Sequence, residues 1–115
     1  MDRAKFLSEL KAQFPEAFAQ IDKYETGQLH TEIGSFRAYI EQKMEEGAAW
    51  YCERAFRFIE RCSKDADAEL RNAIEISFIE DLALGAQNKK RYDIVKDRAP
   101  KLLRDKMIEA HDFWK

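Results

Sequence analysis

The stretch NAIEISFIEDLAL, residues Asn72 to Leu84, decides the fold because it is the longest run in which apolar residues occupy nearly every helical face. Read from Asp67, the run is about 18 residues long, whereas a buried strand of similar apolarity ends after about 4 to 8. We therefore predict a central helix buried in the middle of the domain. Helical spacing places its apolar residues in two neighbouring stripes: Ile74, Phe78 and Leu82 in one, Ile76, Ile79 and Ala83 in the other.

The composition predicts one soluble domain that spans residues 1–115. Its 45% hydrophobic and 37% charged residues are typical of a globular chain rather than a disordered one. Four Gly and two Pro leave little material for the tight turns between strands. Abundant Ala, Glu, Lys, Leu and Arg favour helices. We expect an all-α fold.

Helix boundaries follow from capping residues and from Pro and Gly. Asp2 is placed to cap the first helix, and Pro15 opens the second. Thr31 or Ser35 is expected to cap the third helix, and Gly47 ends it.

Asp65 or Asp67 is expected to cap the central helix, and Gly85 ends it. Continued to the C-terminus, the pattern predicts six or seven short helices. A compact bundle and a HEAT-like α-α stack both remain open.

The two cysteines are not expected to pair. Cys52 and Cys62 lie on one predicted helix, about 15 Å apart along its axis, whereas a disulfide needs Cα atoms within about 4.4 to 6.8 Å. The sequence starts without a secretory signal, and no run reaches the roughly 18 apolar residues of a membrane span. We expect a cytoplasmic protein with buried free thiols and no membrane contact.

Enzyme chemistry has little support in the sequence. His30 and His111 are the only imidazoles, and neither belongs to a recognisable catalytic or nucleotide-binding motif. A di-metal centre in a helical bundle needs Glu-x-x-His pairs, and the chain has none. We therefore expect no catalytic residues, no metal and no cofactor.

Charge is distributed unevenly along the chain. Residues 65–87 contain six acids and one Arg, a net charge of −5, whereas residues 88–115 contain nine bases and five acids, a net charge of +4. The whole chain is acidic, with a pI of about 5.8. Proteins that bind nucleic acid directly usually have a dominant basic balance. We expect a protein partner rather than a nucleic acid.

Two adjacent aromatic residues mark the start of the fourth predicted helix. Trp50 lies off the two main apolar stripes of that helix, and Tyr51 follows it directly. Either Trp50 packs under the first hairpin, which the first and second predicted helices form, or it is an exposed aromatic within an acidic rim. Exposed Trp and Tyr often supply the binding energy of protein interfaces.

Most of the chain resembles a family of small helical bacterial proteins with an uncharacterised domain. The segments that carry the resemblance are FLSELKAQFP, YETGQLHTEIGSF, FRFIER, DAELRNAIEISFIEDL and the closing DFW. Some such proteins are immunity proteins, encoded beside toxins of contact-dependent or polymorphic systems. The resemblance implies a role as the stoichiometric inhibitor of a cognate toxin, with a ribonuclease as the expected toxin.

An inhibitor of this class needs no active site of its own. A nuclease presents a basic cleft for phosphates, and carboxylates on the inhibitor would cover that cleft and steer association. A helical adaptor or regulator of another protein is the alternative function. The predicted partner-binding surface consists of eight residues: Glu45, Glu46, Trp50, Tyr51, Glu53, Glu75, Glu80 and Asp81.

Overall fold

A computed structural model describes residues 1–22, 28–82 and 89–113, without the side chains of residues 22, 89, 102 and 110–113. Seven helices are present in these ranges, and none of the described residues is in a strand. They are α1 (Arg3–Gln13), α2 (Pro15–Asp22), α3 (Leu29–Glu45), α4 (Ala49–Asp65), α5 (Ala68–Ile74), α6 (Lys89–Arg98) and α7 (Lys101–Phe113). The predicted all-α class is confirmed.

The predicted helix boundaries are confirmed at most of the marked residues. The Asp2 carboxylate accepts a hydrogen bond from the Lys5 backbone N–H, and Pro15 is the first residue of α2. Gly47 follows α3 with a φ of 77°, a conformation that residues with a side chain rarely adopt. The expected cap of α3 is wrong, because the helix begins at Leu29 after Gln28 and has no side-chain cap.

The central helix is not regular over its whole length. Asp67 caps α5 through the Leu70 N–H, as predicted, and α5 then passes into a π-helical segment, Glu75–Glu80. A π turn has i→i+5 hydrogen bonds and more residues per turn than an α-helix. The segment therefore rotates the side chains that follow it. The predicted end of this helix, at Gly85, lies outside the described residues.

Burial along the central helix differs from the prediction at Ile76, which lies two residues from both Ile74 and Phe78 and so on the opposite side of a helix. Ile74, Phe78 and Ile79 are in the core, as the stripes predict. Ile76 is 42% exposed, so its predicted burial is wrong, and Ser77 is buried in its place. Ala83 lies outside the described residues.

The core is one cluster to which all seven helices contribute. Phe58 of α4 stands at its centre, with ring centroids 5.3 to 6.1 Å from three other phenylalanines. Those rings are Phe6, Phe14 and Phe36. Phe36 in turn stacks on Phe78 of the π segment at 5.8 Å. The described part of the chain has extents of 33 × 29 × 20 Å, which fits a compact globule.

Cys52 and Cys62 are buried free thiols on α4, as predicted. Burial raises the pKa of Cys52 to about 11 and that of Cys62 to about 12. A thiol that keeps its proton at neutral pH is a poor nucleophile and a poor metal ligand. Both cysteines therefore act as small apolar residues of the core.

Candidate functional site

The eight residues of the predicted partner-binding surface lie at three parts of the fold and form no single cluster of contacts. Glu45 and Glu46 are at the end of α3, and Trp50, Tyr51 and Glu53 are at the start of α4. Glu75 and Glu80 bound the π segment, with Asp81 directly after it. Two separate surfaces contain three of the eight, with Trp50 and Tyr51 in one and Glu80 in the other. We name them the Trp50 surface (Tyr39, Lys43, Trp50, Tyr51 and Arg54) and the Ile76 stripe (Glu69, Asn72, Ile76 and Glu80).

Trp50 is exposed rather than packed under the first hairpin. Its side chain is 62% exposed, and its ring lies 6.1 Å from that of Tyr51 in an edge-on arrangement. The Arg54 guanidinium lies over both rings, 5.9 Å from Trp50 and 5.7 Å from Tyr51. A hydrogen bond also fixes Arg54, because its Nη2 donates to the Gln13 carbonyl at 3.1 Å. The indole is therefore supported on one side and open to a partner on the other.

Tyr51 anchors this surface to the core. Its ring contacts Phe14 at 5.7 Å and Tyr39 at 6.1 Å. Burial raises the pKa of Tyr51 to about 12, and its hydroxyl has no hydrogen-bond partner among the described residues. Tyr51 therefore serves mainly as packing beneath Trp50.

The rim of the Trp50 surface carries cations as well as acids. Lys43 lies over the rings of Tyr39 and Tyr51, at 5.3 and 5.7 Å, and donates to Glu46 at 3.1 Å. This hydrogen bond to Glu46 is the main cause of the raised Lys43 pKa. The rim is therefore mixed in charge rather than purely acidic, with Lys43 and Arg54 over the aromatic rings.

Most carboxylates of the predicted surface are paired with cations of the same chain. The Glu45 carboxylate accepts a hydrogen bond from Arg91 Nε at 2.6 Å, and the Asp81 carboxylate accepts one from Arg37 Nη1 at 2.8 Å. Glu53 lies 3.3 Å from Arg57, and Glu75 lies 3.4 Å from Lys106. Such pairs tie helices together and leave less charge for a partner. Glu80 differs, because it has no ion pair within the described ranges.

Glu45 and Asp81 belong to one ion-pair network between α3, α6 and the end of the central helix. Glu41 is its centre, with Arg37 Nε and Arg91 Nη1 each 2.7 Å from its carboxylate oxygens. Arg37 also donates to the Ser77 carbonyl at 3.1 Å. That carbonyl lies in the π segment, where the Asp81 N–H donates to Ile76 and Phe78 instead. Arg37 therefore compensates a backbone bond that the π turn displaces.

The Ile76 stripe is the exposed side of the central helix. Glu69, Asn72, Ile76 and Glu80 are all exposed and recur at three- or four-residue spacing. Ile76 and Trp50 are the large hydrophobic residues that the described part of the chain exposes. The stripe thus combines one apolar side chain with carboxylates at both ends.

The position of Arg54 over Trp50 was not predicted from the sequence, although the spacing of the two residues indicates it. Arg54 follows Trp50 by four residues, the spacing at which side chains meet on a helix, so a cation over the indole was predictable. Lys43 was not predictable, because its approach to Tyr51 depends on the turn between α3 and α4.

A histidine and a serine are in contact in the described part of the chain. His30 Nδ1 lies 2.8 Å from the Ser77 hydroxyl, but Ser77 is only 7% exposed and so offers little access to a substrate. The described side chains contain no group of three or more His, Cys, Asp or Glu residues suited to a metal ion. Of the helices in the described ranges, none is long and apolar enough to cross a membrane.

The chain matches the model of a protein family. The model of DUF7674, a domain of unknown function, matches residues 7–115. The chain belongs to the DUF7674 family. The match covers almost the whole chain, including both surfaces. Neither a curated protein nor a solved structure matches the chain.

Proposed function

We propose that this DUF7674 protein functions by binding another protein through the Trp50 surface. The observation that carries the proposal is the 62% exposed indole, held between Tyr51 and Arg54. Trp, Tyr and Arg are the residue types that dominate the binding energy of protein interfaces. Tyr51 and Arg54 are already fixed by packing, so a partner would order few side chains on binding.

In its specific form, the proposal is a cytoplasmic immunity protein of a bacterial toxin system. This form rests on the resemblance of the sequence segments to immunity proteins of contact-dependent or polymorphic systems. The expected partner is a nuclease toxin with a basic cleft, inhibited by formation of a stoichiometric complex. The exposed acids of the Ile76 stripe, Glu69 and Glu80, supply negative charge that would steer such a partner.

Because of these ion pairs, the proposal does not rest on most of the carboxylates predicted from the sequence. Glu45, Glu53 and Asp81 would each have to leave an intramolecular arginine before they met a toxin cation. Exchanging one ion pair for another yields little net free energy. Binding energy is therefore assigned to Trp50, and steering to Glu69 and Glu80.

The test is complex formation with the product of the adjacent toxin gene. The purified chain should form a 1:1 complex and protect RNA from degradation at an equimolar ratio. Trp50→Ala should weaken binding by about 2 kcal/mol or more, mainly through faster dissociation. Glu80→Lys should instead slow association and reduce its salt dependence.

Lys11→Ala provides the matched control, because it removes an exposed cation that lies over the Phe18 ring of the first hairpin. Its complex should have wild-type affinity. An absence of complex, or a Trp50→Ala variant with wild-type affinity, would refute the proposal.

A helical adaptor is the second candidate, and the extensive pairing of the carboxylates favours it. An adaptor needs the Trp50 surface but no negative electrostatic potential that attracts a basic cleft. It would bind a protein without nuclease activity, and Glu80→Lys would leave its association rate unchanged. Capture of a single such partner by the wild type, with loss in Trp50→Ala, would support this function over inhibition.

A further inference from the structure

A recessed site lies between α4 and the junction of α6 with α7, separate from the Trp50 surface and from the Ile76 stripe. It is a groove of about 470 Å³, within the range of small-molecule sites in proteins. Charged residues at helical spacing on α4 form one wall, and the end of α6 forms the other. The lining residues are Glu53, Arg57, Glu60, Arg61, Lys64, Asp97, Arg98, Ala99 and Pro100.

The cations of the groove project farther into solvent than the carboxylates of α4. The Glu53 and Glu60 side chains are 32% and 19% exposed, and one Glu60 oxygen is fully buried. The side chains of Arg57, Arg61, Lys64 and Arg98 are between 47% and 71% exposed. A ligand that enters between the helices therefore meets cations before it meets the acids of α4.

Two guanidinium groups converge at one point of this groove. Arg57 Nη2 lies 3.3 Å from one oxygen of Glu53, and Arg98 Nη1 lies 4.0 Å from the other. One carboxylate thus serves two arginines, and the contact with Arg98 is too long for a hydrogen bond. Each guanidinium has five N–H donors in a planar fork, so donors remain for a ligand oxyanion.

The remaining lining limits the class of ligand. The Ala99 N–H already donates to the Val95 carbonyl, and Pro100 has no N–H, so recognition must come from side chains. Four cations face three carboxylates, which gives a local charge of only +1. A nucleic acid backbone would meet the exposed Asp97 and the two glutamates. A compact ligand with one anionic group avoids that repulsion.

We propose that this groove binds a small molecule through a single phosphate or carboxylate group, held by the N–H donors of Arg57 and Arg98 that Glu53 leaves free. Arginine suits both groups because its planar fork matches two oxygens at once. The proposal is independent of the Trp50 surface, since the groove contains none of the residues that define it.

The test is an NMR titration of the full chain with inorganic phosphate and, separately, with acetate, with sodium chloride as the ionic-strength control. One of the two anions should cause saturable shifts of amide signals in residues 57–64 and 97–99. Saturation by phosphate alone identifies a phosphate group as the ligand chemistry, and saturation by acetate alone identifies a carboxylate. Linear shifts, equal to those caused by chloride, would overturn the proposal.

Three variants test whether anion binding depends on the guanidinium groups or only on positive charge. Arg57→Ala should weaken anion binding about tenfold, as expected for the loss of a charged hydrogen bond. Arg98→Lys keeps the charge and the fold but removes the fork, and should also weaken binding. Lys11→Ala, outside the groove, should bind as the wild type does. Equal affinity in all three variants would contradict the proposed site, whichever anion is used.

Discussion

At the residue scale, Arg3 and Glu32 form a two-point ion pair that fixes α1 on α3. Both hydrogen bonds are 2.7 Å long, and Glu32 is only 5% exposed. The hydrogen bond to Glu32 is the main cause of the raised Arg3 pKa. A buried carboxylate that loses its partner keeps its desolvation cost, so the pair is needed once Glu32 is buried.

We predict that Arg3→Met lowers the free energy of unfolding by about 1 to 3 kcal/mol, as measured by urea denaturation. The double variant Arg3→Met with Glu32→Met should recover most of this loss, because it removes the unpaired charge as well. If both single losses simply add in the double variant, the two residues are not coupled and the argument is wrong.

The buried thiols predict a decline of stability at alkaline pH. In the unfolded chain a cysteine loses its proton near the ordinary pKa of 9.0, whereas in the fold the pKa of Cys52 is about 11 and that of Cys62 about 12. Below pH 9 both cysteines are protonated in the folded and in the unfolded state, so their full contribution to the free energy of unfolding is present. As pH rises toward the folded values, the unfolded state ionises first and gains stability.

Urea midpoints measured between about pH 7 and about pH 10 should therefore fall above pH 9. Cys62→Ala removes one of the two raised pKa values, so its midpoint should fall less steeply over the same interval. An identical slope in this variant would show that other groups cause the decline.

At the element scale, the π segment depends on contacts from α3. Arg37 donates to the Ser77 carbonyl and to Asp81, and His30 lies against the Ser77 hydroxyl. We predict that Arg37→Met increases the hydrogen exchange of amides in residues 77–82 more than in α1. Local opening costs less once the displaced carbonyl loses its donor. Arg57→Met, which removes an exposed arginine from α4, is the matched control and should leave the exchange of residues 77–82 unchanged.

The helices were predictable from the sequence, but the π segment was not. Apolar spacing, Asp2, Pro15, Gly47 and Asp67 mark boundaries because their effects are local. The π turn packs against α3 and α7, and no local pattern in the sequence marks it. Ile76 was predicted to be buried because it is apolar, although a residue two positions from both Ile74 and Phe78 lies on the opposite side of a helix.

The candidate site was predictable only where it depends on one helix. Trp50, Tyr51 and Arg54 follow one another on α4, so their proximity is a matter of spacing. The pairing of Glu45 with Arg91, 46 residues apart, depends on how α6 docks on α3. Acid clusters in a sequence consequently overstate the negative charge that a partner meets, since docking brings arginines from distant segments to them.

At the scale of the whole molecule, the single core predicts one cooperative unfolding transition. Phe78 in the centre and Met107 in the last helix belong to the same buried cluster, with 0% and 2% exposure. Truncation of either should therefore lower global stability rather than loosen one region. We expect losses of about 3 to 5 kcal/mol for Phe78→Ala and about 2 to 5 kcal/mol for Met107→Ala.

Urea denaturation followed by far-UV and near-UV circular dichroism tests this cooperativity. Both signals should change together in the wild type and in each variant, because loss of the core removes helices and aromatic packing at the same time. Ala12→Ser, at an exposed position of α1, is the control and should shift the midpoint by less than about 0.5 kcal/mol. If Met107→Ala instead gave an early partial transition with the central transition unmoved, α7 would be a separately docked unit, and only six of the described helices would share one core.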